Sequence, residues 1–474
     1  MLHFGTYLKQ LIEQNEINLY ALAKQAGIER TTMHKIMANN RVPAPEYVQK
    51  LMAALPISPS EKAQLLEAYR IAKAGPEKYL QRLQVKDIIE AVADIKDVPY
   101  QAYTGSMGAK NTAAIGAVAV NNMVKNVLLQ AAATPSPTID FAVHGNYGYL
   151  YTQLQELLAG HQNAQVRHLL AFSKKVNFSQ SGNTNLQLLG HMLPLAFTSP
   201  NYKPYYFYNN GAEGDSTNIM PYYIITPDAL VLINKDFTRA TLVEVAETIA
   251  IYKEAFENML AEGREFLKSF ISPFQALEEC MGVNSLGENV QQYWIEPQPC
   301  IGNYMTPALC DAIARPEIPN REVMVSMLAN HYKMLQRAAG NITNLCTVEG
   351  AEALANTGQV HYLPPHMCAP VPKETIASMY RKMARDIAKG KLTLHFANPG
   401  KIKLSQHTLI SISKAGGVFF IMCKVDSFSC FYLEESTITE AFVDFVENLG
   451  ELECFYTAEE SRGIFTQLAK IPAL

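Results

Sequence analysis

The sequence predicts a multidomain chain: an all-α head of five helices, then a large α/β body built on mixed sheets. Three observations carry this. Apolar residues recur at three and four positions through roughly the first 75 residues. Gly75-Pro76 and Thr134-Pro135-Ser136-Pro137-Thr138 interrupt the pattern with turn and boundary signals. From Ile139 onward, short apolar runs alternate with helical patterns. At 474 residues the chain is too long for one ordinary core. The signals divide it into a head at 1–75, a helical linker at 76–135, an α/β domain at 136–340 and a C-terminal α/β subdomain at 341–474.

The head begins with Phe4 to Gln14, where Tyr7, Leu8, Leu11 and Ile12 form one stripe. Asn18 has the character of an N-cap for a second helix, Leu19 to Gln25, with Leu22, Ala23 and Ala26 inward. Gly27 stands where the backbone must turn with positive φ, and Ile28 plugs the angle. A third helix starts near Glu29 and buries Met33, Ile36 and Met37. Arg30, Thr31, Thr32, His34 and Lys35 are left for its other sides. Asn39-Asn40-Arg41-Val42-Pro43 is a turn. Pro45 to Leu55 then buries Val48, Leu51 and Met52, and Ser58 or Ser60 caps a fifth helix, Glu61 to Lys73.

Composition bounds the rest. The chain is 48% hydrophobic and 18% charged, enough to bury sizeable cores without staples. Its net charge of −4 is unevenly spread: Met1 to Arg82 hold eleven Lys and Arg against seven Asp and Glu, a net of +4 that leaves −8 for the remainder. A basic head on an acidic body suits a polyanionic partner. The eight cysteines all lie in the C-terminal half, without a CxxC pair, and are expected as reduced thiols. The N-terminus lacks the basic and apolar regions of a secretory signal, so the sequence predicts a cytoplasmic protein. Ala113 to Ala133, its most apolar stretch, is interrupted by Asn121, Asn122, Lys125 and Asn126 and reads as a buried helix, not a membrane span.

The run Leu22-Ala23, Ala26-Gly27-Ile28, Thr32-Met33 and Ile36, followed by Asn40-Arg41-Val42-Pro43, resembles the Cro/CI-type (Xre-like) helix-turn-helix. The resemblance covers about the first 75 residues and implies a transcriptional regulator that binds double-stranded DNA as a homodimer. Its third helix would enter the major groove. Arg30, Thr31 and Lys35 would face base edges or nearby phosphates, with Thr32 and His34 as secondary contacts. Asn39, Asn40 and Arg41 would touch backbone phosphate. Leu19-Tyr20 stand where many relatives carry a polar residue at the start of the second helix.

The remainder would then be a regulatory body that senses a small molecule, peptide or protein effector. Tyr79 to Ile95 reads as a helix, broken at Val98 to Gln101, with a linker or helix entry in Gly105 to Gly116. Strands are expected at Ile139–Val143, Val166–Phe172, Tyr205–Tyr208 and in the hairpin Tyr222–Thr226 and Ala229–Ile233, then a long helix from Leu242 to Phe270. Helices follow at Arg321–Ala338 and Lys373–Ile387. The tail repeats the grammar with strands at Thr408–Ile412, Val418–Cys423 and Ser429–Leu433 and a helix at Thr439–Leu449. A strand at Leu452–Tyr456 and a helix at Ala458–Ala469 close it. Two passages of hairpin followed by helix, Tyr222–Phe270 and Thr408–Leu449, hint at an internal duplication.

The body is also faintly similar to phospholipase-D-like sensor domains, at the level of fold rhythm alone. That superfamily's catalytic signature is His-x-Lys followed, after four residues, by Asp. The near match His331-Tyr332-Lys333 has Ala338 at the Asp position, so no phosphodiester chemistry is expected. No phosphate cradle or HExxH box occurs. His361, His366 and Cys368 are a weak zinc candidate outweighed by an ordinary proline-rich turn. Glu278-Glu279 and Glu434-Glu435 read as solvated pairs. Tyr205, Tyr206, Tyr208 and Tyr222 are candidate ligand contacts, with strand core the favoured reading. No catalytic residues, metal or cofactor are therefore expected. An enzyme of unfamiliar fold with an autoregulatory head, or a protein-interaction module, are the alternatives.

Overall fold

The computed structural model describes residues 3–95, 102–105, 112–172, 178–179, 182–208, 218–285, 290–424 and 427–469. The chain divides into two compact units: residues 1–83 with 180–182, and residues 84–179 with 183–474.

The first unit holds five helices: α1 (Phe4–Gln14), α2 (Leu19–Ala26), α3 (Arg30–Met37), α4 (Pro45–Ala54) and α5 (Pro59–Ala74). Each forms where the apolar spacing requires it. The stripe Tyr7, Leu8, Leu11 and Ile12 of α1 is buried with Leu22 and Ala26 of α2, Met33 and Ile36 of α3, Leu51 of α4 and Leu65 of α5. Asn18 caps α2 by accepting from the Ala21 amide, and a capping box between Ser58 and Glu61 starts α5. The division point between the units falls within α6 (Pro76–Ala93), which ends just before the expected Ile95.

The body is a duplicated sheet domain. In the first repeat the chain runs β1 (Ala113–Ile115), α7 (Ala117–Ala132), β2 (Thr138–Ala142), α8 (Gly148–Gly160) and β3 (Gln165–Phe172). The two-residue strands β4 (Phe178–Ser179) and β5 (Gly182–Asn183) lie outside the main sheets. Then come α9 (Thr184–Thr198), β6 (Tyr202–Tyr208), β7 (Tyr222–Ile225), β8 (Leu230–Ile233), β9 (Arg239–Val243) and α10 (Ala246–Glu262). The sheet order is β1-β9-β8-β7-β2-β3-β6-β10, with β10 at Arg264–Glu265.

The second repeat runs β11 (Lys268–Phe270), α11 (Pro273–Ser285), β12 (Gln292–Ile295), α12 (Pro307–Ile313), α13 (Arg321–Ala338) and β13 (Ile342–Cys346). It continues through α14 (Val348–Thr357), α15 (Lys373–Ala388), β14 (Thr393–Phe396), β15 (Thr408–Ser413), β16 (Gly417–Cys423), β17 (Phe428–Leu433) and α16 (Ser436–Glu447). Its sheet order is β11-β17-β16-β15-β12-β13-β14. In both repeats three strands are parallel, β2-β3-β6 and β12-β13-β14. The first of them then pairs antiparallel with a strand that opens two hairpins. The edge strand before the first helix also pairs with the last hairpin strand in both, β1 with β9 and β11 with β17. The duplication is therefore larger than two hairpin-helix passages: it takes in residues 113–262 and 268–447.

The repeats share one core, where Asn185 on α9 donates to Thr437 on α16 at 2.9 Å and Phe197 meets Phe431 edge-on. Short α17 (Leu449–Leu452) and α18 (Ala458–Leu468) close the chain.

Several expectations are corrected. The long helix from Leu242 to Phe270 is α10 flanked by strands, because Ala240, Leu242 and Val243 complete the ladder of β9 on β8 and Gly263 adopts extended backbone. Ala113 to Ala133 begins as strand β1, and Gly116, at φ 93°, turns the chain into α7. Leu452 to Tyr456 is no strand: Glu453 is left-handed and Phe455 makes a single bridge to Ala397. Glu435 is not solvated but 1% exposed, and its carboxylate accepts from Tyr208, Thr437 and the Ile438 amide. Val98 to Gln101, and residues 106–111 of the glycine-rich passage, lie outside the described residues.

Candidate nucleic-acid interface

The site is built from α2, the turn after it and α3. Gly27 ends α2 at φ 66°, the left-handed region that residues with a Cβ resist, while the space around it is open; conformation, not crowding, requires glycine. Ile28, 5% exposed, fills the corner. Met33 and Ile36 then fix α3 from below at 0% exposure. The helical period places Arg30, Thr31, His34 and Lys35 together on the opposite side, where all four are exposed and Thr32 is half-buried.

Eight residues make α3 about 12 Å long, and a helix about 10–12 Å across with its side chains fits a major groove about 12 Å wide. Its first turn has no acidic residue, and Glu29 at the N-cap makes no side-chain capping bond. The Glu29 carboxylate is thus the acidic group nearest the positive end of the helix dipole.

The turn after α3 is held by contacts that sequence reasoning missed. Asn39 sits at φ 58°; its Oδ1 accepts from the Gly5 amide at 2.7 Å and its Nδ2 donates to Thr6 Oγ1 at 2.8 Å. A Cβ at Gly5 would lie 2.0 Å from the Ile36 carbonyl oxygen, so only glycine lets α1 start against the last turn of α3. Asn39 therefore ties the end of α3 to the start of α1 through its side-chain amide while remaining exposed at the turn. Asn40 and Arg41 are exposed beside it. At the start of α2, Leu19 packs against the core while Tyr20 stands 68% exposed, its hydroxyl reaching solvent.

Of the tyrosine candidates, Tyr206 and Tyr208 meet edge-on at 5.5 Å and line one pocket, while Tyr205 and Tyr222 lie elsewhere. Tyr206 packs on Phe172 and Phe266, and Tyr222 stacks on Phe237. Tyr205 lies with the cluster under α10, on the other face of the sheet. Two strands separate β6 from β7, about 14 Å between them. Tyr208 donates to Glu435. His361, His366 and Cys368 are dispersed. His361 is buried beside Glu296, with Nε2 3.6 Å from a carboxylate oxygen; His366 is exposed; Cys368 is buried in the apolar core. Among the described residues no group of three His, Cys, Asp or Glu is placed to hold a metal, and no helix is long and apolar enough to cross a membrane. All eight cysteines are free thiols. His331 lies within α13, not at a strand end.

A short helix clamped by its apolar side after a capped, glycine-terminated partner defines a helix-turn-helix module. Residues 7–62 match the family model of the Cro/C1-type HTH DNA-binding domain, and the head is a domain of that class. No curated protein matches the chain by sequence. Among solved structures, the chain is similar to a polyphosphate kinase from Porphyromonas gingivalis at 10% identity and TM-score 0.20, covering 69% of this chain but 48%, about half, of the kinase. It is similar to TrmBL2, an archaeal chromatin protein, at 12% identity and TM-score 0.22, covering 54% of this chain and 97% of TrmBL2. A phosphatidylserine synthase from Haemophilus influenzae Rd KW20 gives 10% identity and TM-score 0.22, covering 82% and 98%. Similarity this weak carries no argument about the body.

Proposed function

We propose that this protein is a sequence-specific DNA-binding transcriptional regulator whose body senses an effector and performs no catalysis. The observation that carries the reading is the two-sidedness of α3: Met33 and Ile36 fully buried, Arg30, Thr31, His34 and Lys35 exposed on one stripe. Arg30 offers a guanidinium fork matched to guanine O6 and N7, Thr31 a hydroxyl and a methyl for a base edge, and Lys35 a point charge for phosphate. Asn40, Arg41 and the Tyr20 hydroxyl flank the groove as backbone contacts. One such helix reads only a half-site, so the working form is a homodimer on a two-fold operator, acting in the cytoplasm.

The test is genomic binding-site mapping followed by titration of the full chain on the recovered site. Arg30→Ala costs about 1–3 kcal/mol on the cognate duplex and relaxes specificity at one base pair. An unchanged affinity removes Arg30 from the interface, and equal loss on every sequence reduces it to a phosphate contact.

A further inference from the structure

The second repeat is hollow where the first is filled. In the first, α7 packs on β1, β9 and α8 with Val120 and Val124 at 0% exposure. In the second, α11 takes the same place against β11, β17 and α13. Its Phe274, Leu277 and Cys280 are only half-buried and line a cavity of about 140 Å³. The duplicated fold does not require this space, since its other copy closes it.

The lining fixes the chemistry of an occupant. It contains no Lys, Arg, Asp or Glu, so a charged ligand would lose its hydration without a partner. Leu328, Leu335, Met324 and Met367 supply apolar and adaptable walls, and the rings of Trp294 and Phe428 offer stacking faces. Tyr332 and Tyr362 also line it, and their hydroxyls are joined to each other. The Nδ1 of His331, by contrast, is buried without a hydrogen-bond partner. Burial holds that imidazole down at about 4, so it is neutral near pH 7. The volume is close to that of apolar protein cavities, about 150 Å³, that accept benzene.

We propose that this cavity is the effector site of the regulator, and that it takes a neutral monocyclic aromatic molecule bearing one hydrogen-bonding group that pairs with His331. The effector role rests on the DNA-binding reading above; the ligand site does not.

Trp294 is the single tryptophan of the chain and lies in the wall, so its emission reports on this cavity alone. The full chain is titrated with phenol, toluene and benzoate, followed by emission and calorimetry. Phenol and toluene give saturable responses and benzoate, as the anion, gives none. His331→Leu weakens phenol by roughly 3- to 10-fold and leaves toluene within about twofold. Leu328→Phe, which fills the space, abolishes both, with circular dichroism and thermal unfolding confirming that it folds. Absence of a saturable response to phenol and toluene, or one unaffected by Leu328→Phe, overturns the site, as does tight benzoate binding. The same samples are titrated with the cognate duplex, with and without phenol. Phenol binding that leaves duplex affinity within twofold overturns the effector role. Duplex binding without phenol binding sinks the cavity alone, and phenol binding without any duplex binding sinks the regulator reading.

Discussion

The two repeats of the body share strand order and direction yet place different acidic groups along the first of their parallel strands. On β2, Asp140 is ionically clamped: Arg167, directly across on β3, donates twice to it at 2.7 Å and reaches Glu257 on α10. Just past β12, Glu296 is 1% exposed and has no cation within reach among the described residues; Asn344 donates to one oxygen, and the other faces His361. Burial pushes the Glu296 carboxyl up to about 8 and the His361 imidazole down to about 3, so both are neutral near pH 7. Near its parallel strands one repeat carries an ion pair, while the other carries a neutral carboxyl and imidazole and a cavity beneath α11. The difference teaches that one strand order tolerates either an ion pair or a neutral polar pair near its parallel strands, and either a filled space or a cavity beneath the helix after its edge strand.

The largest effect that sharpens this contrast comes from equivalent helices. Leu154 on α8 is fully buried in close packing, so Leu154→Ala costs about 3–5 kcal/mol, whereas Leu335→Ala on α13 costs about 2 kcal/mol because Leu335 already borders empty space. Equal costs, measured by denaturant unfolding, would break the contrast. Next, Arg167→Met strands Asp140, whose side chain is 8% exposed, and costs about 2–3 kcal/mol; adding Asp140→Asn recovers most of it. A smaller effect separates the two carboxylates by pH. A raised folded pKa means that Glu296 stabilises the fold below its unfolded value and loses that contribution as pH rises through about 8. Between about pH 4.5 and 6.5 the loss is opposed by His361, His331 and His168, whose depressed pKa values make stability rise with pH. From pH 6.5 to 8 Glu296 acts alone, so stability falls by up to about 2 kcal/mol in the native chain and stays flat in Glu296→Gln. A parallel fall in both, followed by chemical denaturation across that window, removes the neutral-pair account.

The head was largely legible because its signals are local. The Asn18 cap, Gly27 and the Met33 and Ile36 spacing each determine backbone within a few residues, and all five helices fall within a few residues of their predicted ends. Asn39 escaped because its partners, Gly5 and Thr6, lie more than thirty residues away. The hairpins of the body were legible from their turns. Its parallel strands β12, β13 and β14 were not: they are four or five residues long, and β12 and β13 are buried throughout, so neither alternation nor turn residues mark them. The cavity was invisible for the same reason, since its walls come from α11, α13, β12, β15 and β16, far apart in the chain.

The account stands on the polar side of α3 lying in a duplex groove. The most direct measurement is the salt dependence of the full chain's affinity for its recovered site, with Lys35→Ala alongside. Affinity falls steeply with salt, and Lys35→Ala lowers the slope of log K against log salt by about one. Binding indifferent to salt, or a slope that Lys35→Ala leaves unchanged, would contradict it.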